Sequence, residues 1–308
     1  MSFRRILLLM ALAVSTACSA EGVSPTEPAL RVERVVLVSV DGLRGDALAE
    51  MPSLAALLPD AVWTDRARSV DPAVTLPAHL SMLTGRDVTE LGIVTNVLDA
   101  AAATALIFSG TSTVFDWIEG PSDAVVGASL LPAESIETAR AFLALRRVVA
   151  VGLDDAAITS ASLDALAAAD APDVLFVHLP AVDLAGHTHG WLTSGGALTA
   201  EYLAAVRHAD AQIARVYAAL APEISAGTAA LIVTADHGGG HGVGCGDQPA
   251  EREHCTTHEG DQLVPLVVLA GGADARRLEG EPSITRVAPT IAGLLGVAPP
   301  SGMRSLDP

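Results

Sequence analysis

The stretch Val35-Val36-Leu37-Val38-Ser39-Val40-Asp41-Gly42-Leu43-Arg44 decides the fold. Its first six residues are aliphatic apart from one serine, the composition of a strand buried on both faces of a parallel sheet. A carboxylate follows at once, at the place where open α/β sheets bind ligands, beyond the carboxyl ends of their strands. Similar runs recur at Val174–Leu179, Leu231–Thr234 and Val264–Leu269. Helical patterns separate them. The clearest runs over about Thr199–Leu220, where Leu203, Val206, Ile213, Val216 and Leu220 share an apolar stripe. Strands alternating with helices predict an α/β fold with a mostly parallel central sheet and helices on both faces. The segment Val97–Ala171 carries the least pattern, and crossover helices and pocket-shaping elements are expected there.

The chain has 308 residues, enough to bury a sizeable core, and its hydrophobic half is mostly scattered alanine and valine. The long unbroken apolar run Ile6–Val14 is too short to span a bilayer and follows Arg4 and Arg5, so residues 1–20 are expected to be a signal peptide. Residues 21–32, with Pro25 and Pro28, are expected to form a short tether, and 33–308 a single domain. The protein is therefore expected to be exported, to a periplasmic or extracellular location. Val14-Ser15-Thr16-Ala17-Cys18 resembles a lipoprotein cleavage box, with Ser15 where leucine is usual. Lipidation at Cys18 and ordinary cleavage near Ala17 or Ala20 both stay open. Cys245 and Cys255 are then an even pair in an oxidising compartment, and a disulfide is expected.

The formal net charge is −18, and all 18 basic residues are arginine. Such a surface repels nucleic acid and anionic membranes, so no nucleic-acid polymer is expected as a partner and any membrane contact would run through Cys18. An anionic substrate would need concentrated local positive charge, which bound metal ions supply.

Four polar clusters sit where the strands end or begin: Asp41; Asp183 and His187 after the run ending at Leu179; Asp236 and His237 after Thr234; and His258 before Val264. Each alone reads as a cap, a solvated helix face or a tight turn. Together they place carboxylates and imidazoles on one edge of one sheet, a donor set that suits zinc or a similar divalent ion. Thr75-Leu76-Pro77-Ala78-His79 begins a helix, with Pro77 in its first turn and Gly85 at its end. Thr75 thus stands where backbone N–H groups and the helix dipole favour an anion. Without the metal ligands it would read as an ordinary N-cap.

These residues resemble the alkaline phosphatase superfamily and, within it, the type I phosphodiesterase / nucleotide pyrophosphatase family. The resemblance runs in the family's order through Asp41-Gly42-Leu43-Arg44, Thr75-Leu76-Pro77-Ala78-His79, Thr84-Gly85-Arg86, Gly92-Ile93-Val94-Thr95-Asn96, Asp183 to Trp191, Asp236-His237-Gly238-Gly239, Thr257-His258 and Val287-Ala288-Pro289-Thr290-Ile291. It implies an alkaline-phosphatase-like fold and hydrolysis of a small phosphate ester with two divalent ions, expected to be Zn2+. One ion would take Asp41, Thr75, Asp236 and His237, the other Asp183, His187 and His258. Two ions about 4 Å apart would clamp the attacking and leaving oxygens. Thr75 would be the nucleophile and carry a covalent phosphoryl group, and Asn96 with the backbone N–H after Thr75 would bind a phosphoryl oxygen. The chain departs from the pattern at Leu91, where the family often has histidine. An insertion of about His241–Thr256 also brings His241 and His254 into contention with His258. The chain is short for the group, so a large capping domain is not expected.

A sulfatase needs a formylglycine made from Cys or Ser, and oxidation of Thr75 would give a ketone. A phosphomonoesterase is the serious enzymatic alternative. A degenerate binding protein on the same scaffold is disfavoured by the intact ligand set, and a serine hydrolase by the lack of a Gly-x-Ser-x-Gly elbow.

Overall fold

A computed structural model of the chain describes residues 30–96, 110–128, 130, 140 and 143–308. The expected signal peptide, Cys18 and nearly all of the expected tether lie outside the described residues. Eight strands form one sheet in the order β4-β3-β5-β1-β6-β7-β2-β8. They are β1 Arg34–Val40, β2 Val62–Arg68, β3 Ser122–Gly127, β4 Arg147–Val151, β5 Val174–Leu179, β6 Ala229–Thr234, β7 Leu263–Ala270 and β8 Arg276–Arg277. The long helices are α1 Thr75–Thr84, α2 Asp155–Ala167, α3 Ala181–His189, α4 Ala200–Ser225 and α5 Val287–Leu294.

β1 lies at the centre and pairs in parallel with β5 on one side and β6 on the other. Every residue of β5 and β6 is buried, and so is all of β1 except its first residue. Burial of that extent explains why these strands read as continuous apolar runs and not as alternation. The helices fall into two packing groups, α2, α3 and α4 in one, α1 and α5 in the other. A sheet buried on both faces requires such a pair of layers.

The run at Val264 differs from expectation in direction. β7 is antiparallel to both β6 and β2. Its beginning therefore lies on the edge where the parallel strands end: Leu266 faces Thr234, the last residue of β6. The segment Val97–Ala171 also differs, because its described part holds two strands, β3 and β4, besides α2. Helix α4 runs five residues past the expected Leu220, through Pro222 to Ser225. Its N-cap Thr199 accepts a hydrogen bond from the Tyr202 N–H.

Cys245 and Cys255 form the expected disulfide. No helix among the described residues is long and apolar enough to cross a membrane.

Candidate active site

The carboxyl edge of the sheet gathers most of the residues singled out by sequence. Asp41 follows β1 and Asp236 follows β6, the two adjacent central strands, so their side chains emerge together. Asp183 and His187 lie one turn apart on α3, which begins two residues after β5 ends. Thr75 is the first residue of α1; the N-cap is Val74, and no side chain caps that end. Its hydroxyl is thus free for other work, and Oγ1 lies 3.1 Å from Nε2 of His237.

His237 Nε2 also lies 3.2 Å from Asp236 Oδ2 and 3.4 Å from Asp41 Oδ1. Asp183 Oδ1 stands 3.5 Å from His187 Nε2 and 3.8 Å from His254 Nε2. The His237 and His254 rings stack at 3.7 Å, joining the two clusters. Asp41, Asp236 and His237 form one group able to share an ion, and Asp183, His237 and His254 another.

The three imidazoles are wired alike. Nδ1 of His187 faces the Arg252 carbonyl at 2.8 Å, Nδ1 of His237 faces the Gly238 carbonyl at 2.8 Å, and Nδ1 of His254 faces the Ala73 carbonyl at 2.7 Å. A carbonyl only accepts, so each Nδ1 carries the proton and each Nε2 keeps a lone pair. All three Nε2 atoms point into the same small space. That is how outer partners fix metal-ligating histidines. Asp41 Oδ1, Asp183 Oδ1 and Asp236 Oδ2 are buried there without a hydrogen-bond partner among the described residues. Orphaned carboxylate oxygens are costly unless a cation meets them. The donor set fits divalent ions.

Electrostatics carry the same message. Burial, with Asp236 and Asp183 close by, pushes the Asp41 carboxyl well above its ordinary range. Burial raises Asp183 to about 7, His187 opposing and Asp236 adding to the shift. Burial also lowers His237 and His254 to about 3. Both directions strip charge from the site, and a bound cation would reverse them for the carboxylates.

His258 is not in this cluster. It is exposed, stacks on His241 at 3.5 Å, and its Nδ1 accepts from the Gly260 N–H. His254, and not His258, lies beside Asp183. The cause is local. Asp261 accepts hydrogen bonds from the Thr256 N–H and hydroxyl, closing a tight turn that carries His258 outward. Cys255, held by the disulfide at a backbone φ of 141°, turns the chain so that His254 points inward. Asn96 is exposed but adjacent to Thr75, its Oδ1 accepting from the Leu76 N–H at 2.9 Å.

Two supporting residues were not foreseen. His178 on β5 is fully buried, and its Nε2 lies 3.0 Å from Asp41 Oδ2. His79 Nε2 meets the Ser39 hydroxyl at 2.9 Å while its Nδ1 donates to the Thr75 carbonyl at 2.8 Å. The signal was present: Ser39 is the lone polar residue in the run Val35–Val40 and His178 in Val174–Leu179, and they are register partners in the sheet. A polar group in a strand buried on both faces needs a partner.

The arginines are accounted for as well. Arg44 is held by Asp46 through Nε at 2.8 Å and Nη2 at 2.6 Å, and donates from Nη1 to the Gly239 carbonyl at 2.7 Å. Arg146 makes a two-pronged pair with Asp123, and Arg147 pairs with Asp170. Both stand at the amino end of β4, across the sheet from the site. Arg86 lies past the far end of α1.

The fold resembles solved structures of low sequence identity. Murine ectonucleotide pyrophosphatase / phosphodiesterase 5, an inactive form in complex with AMP, superposes with a TM-score of 0.63 at 12% identity, covering 87% of this chain and 96% of that one. The lipoteichoic acid synthase LtaP from Listeria monocytogenes gives a TM-score of 0.63 at 11% identity, with 90% and 75% covered. A 2-O GAG sulfatase gives 0.59 at 12% identity, with 90% and 74% covered. These likenesses establish an alkaline-phosphatase-like fold. No curated protein sequence matches the chain. The family model described as type I phosphodiesterase / nucleotide pyrophosphatase matches residues 35–130 and 130–290, nearly the whole described length. The chain belongs to the type I phosphodiesterase / nucleotide pyrophosphatase family, phosphoester hydrolases of the alkaline phosphatase superfamily.

Proposed function

We propose that the protein is an exported phosphodiesterase that uses two divalent zinc ions and Thr75 as nucleophile. One observation carries this reading: three imidazoles with Nδ1 tied to carbonyls turn Nε2 toward three orphaned carboxylate oxygens beside the Thr75 hydroxyl. Asp41, Thr75, Asp236 and His237 would hold one ion; Asp183, His187 and His254, in place of His258, the other. Nitrogen and carboxylate donors in these proportions suit zinc. Bound ions would supply Lewis-acid charge at the attacking and leaving oxygens.

The chain's own residues do the rest. The Thr75 hydroxyl loses its proton to solvent, and Oγ1 attacks phosphorus in line. The P–O bond to one ester arm breaks on the opposite side, and that arm leaves as an alkoxide that takes up a proton from water. The phosphoryl group, still carrying its other ester arm, stays on Thr75. The Leu76 N–H, at the start of α1, faces the phosphoryl oxygen, where the helix dipole favours negative charge. Rotation of the Asn96 amide would present its NH2 to the same oxygen in place of the carbonyl that now takes the Leu76 N–H. Water then attacks phosphorus and releases Thr75. Export agrees with the disulfide and with the apolar run at Ile6–Val14. The substrate would be a small phosphate ester.

A diester is the preferred substrate. A monoester dianion needs more cationic partners to leave water. Arg44, Arg146 and Arg147 are committed to carboxylates, and Arg86 lies at the other end of α1. An aryl phosphodiester is therefore expected to show a higher kcat/KM than the matching monoester at equal ion loading and ionic strength. A tenfold preference for the monoester, about 1.4 kcal/mol of transition-state stabilisation, would overturn the choice.

Ion affinity should depend on pH in one direction. Ligand carboxylates must lose their protons before an ion binds. Asp183, raised to about 7, and Asp41, raised likewise, hold protons that an ion must displace, whereas His237 and His254 are already neutral. Affinity should rise between about pH 6 and 8 and then flatten, with proton release on binding. Calorimetric titration in buffers of different ionisation heat measures both. A flat profile without proton release would contradict the carboxylate assignment.

A further inference from the structure

The positive charge of this acidic chain is mostly spent on its own carboxylates. Arg34 pairs with Glu223, Arg66 and Arg68 with Glu281, Arg207 with Glu50 and Arg277 with Asp65. Arg86, Arg286 and Arg304 are different. None of their guanidiniums has a hydrogen bond or ion pair among the described residues, yet the three line one cavity of about 430 Å³.

The cavity forms where three segments meet: the end of α1 at Gly85 and Arg86, the turn Thr285–Arg286 that leads into α5, and the C-terminal stretch Pro300–Arg304. Met303 fixes the last of these, since its sulfur would lie 2.8 Å from any Cβ added at Gly85. Leu306 is tied down by its N–H to the Thr290 hydroxyl at 2.9 Å. The wall is thus built from three segments, and each brings one arginine to the cavity. Glu90 also lines the cavity, but its carboxylate accepts from the Asp87 N–H in the capping box of the next short helix. Acidic residues outnumber basic ones two to one, 36 against 18, so a cavity lined by three arginines and a single carboxylate runs against the composition of the molecule.

We propose that this cavity binds a phosphoryl group, as a second anion site separate from the catalytic one. The chemistry selects the class. Guanidinium forks match phosphate and carboxylate oxygens bidentately. Three forks offer more donors, in more directions, than the two coplanar oxygens of a carboxylate can accept, whereas a phosphoryl group presents three divergent oxygens and up to two charges. The start of α5 adds its positive dipole end on the same wall. Ten residues of helix at 1.5 Å each separate the cavity from Thr75 by roughly 15 Å, too far for one phosphoryl group to touch both. The group belongs either to a soluble phosphate or to an anionic lipid headgroup.

The experiment uses the full chain, the double variant Arg286→Gln/Arg304→Gln, and Arg31→Gln as a charge control outside the cavity. Inorganic phosphate is titrated calorimetrically, and its inhibition of diester hydrolysis is followed separately as a report on the catalytic site. In parallel, flotation is measured with phosphatidylglycerol and with phosphatidylcholine vesicles. A phosphate-binding event that the double variant weakens at least tenfold, with the inhibition constant unchanged, identifies a soluble anion. Flotation with phosphatidylglycerol alone, lost in the double variant and kept in Arg31→Gln, identifies a lipid phosphate. Either result supports the site. Equal behaviour of parent and double variant in both arms overturns it, as does an equal loss in Arg31→Gln, which would mean net charge alone. The inhibition constant speaks only to the catalytic reading, so failure of one proposal is distinguishable from failure of the other.

Discussion

Thr75→Ala is expected to bind divalent ions nearly as the parent does and to lose on the order of a thousandfold or more in kcat/KM. The geometry separates the two effects. Removing the hydroxyl takes away one ligand atom among four, while Asp41, Asp236 and His237 keep their mutual distances of 3.2 to 3.4 Å about His237 Nε2. The helix should not suffer, because Val74 is the N-cap and no side chain caps that end. A loss of rate without a loss of melting temperature would therefore report chemistry, not folding. Thr75→Ser keeps the oxygen and should keep part of the rate. If Thr75→Ala turned over like the parent, the 3.1 Å contact with His237 would be incidental and the hydroxyl a bystander.

The second large effect separates two histidines four residues apart. His254→Ala is expected to lower the bound-ion content by about one per chain and the rate on the order of a hundredfold or more. His258→Ala should change either quantity by less than about twofold, a surface substitution in effect. His254 is buried, faces Asp183 and lends its Nδ1 proton to the Ala73 carbonyl. His258 is exposed, and its ring meets His241 and the Gly260 N–H. Ion content by elemental analysis and activity at saturating ion, measured on both variants, decide the matter. The opposite ranking would restore the assignment made from sequence.

That reversal shows what the sequence could and could not carry. The central strands were legible because burial on both faces writes an unbroken apolar run, as at Val35–Val40 and Val174–Leu179. The ends of those strands then placed Asp41, Asp183 and Asp236 on one edge without further information. Direction was not legible: β7 reads like its neighbours, since an apolar run looks the same parallel or antiparallel. Its antiparallel course brings the segment before it, with both His254 and His258, to the site edge. What puts His254 rather than His258 beside Asp183 is a disulfide-closed loop with a left-handed φ at Cys255 and a turn around Asp261. Loop closure of that kind depends on tertiary contacts and leaves no periodic trace. β3 and β4 carried weak signals for different reasons. β4 has no fully buried residue along Arg147–Val151, and β3, though buried throughout, opens on Ser122 and Asp123 and ends on Gly127, leaving three apolar residues between. His178 could have been found, because a histidine inside an otherwise apolar strand demands a partner, and its neighbour across the ladder is Ser39, two residues before Asp41.

The most direct test of the whole account is an acid quench during turnover of an aryl phosphodiester, followed by peptide mapping. The account predicts a phosphoryl ester on the peptide containing Thr75, on the Thr75 side chain, appearing as fast as the first product burst and absent from Thr75→Ala. Rapid turnover with no covalent phosphoryl group at Thr75 at any quench time, or the group on another residue, would contradict it.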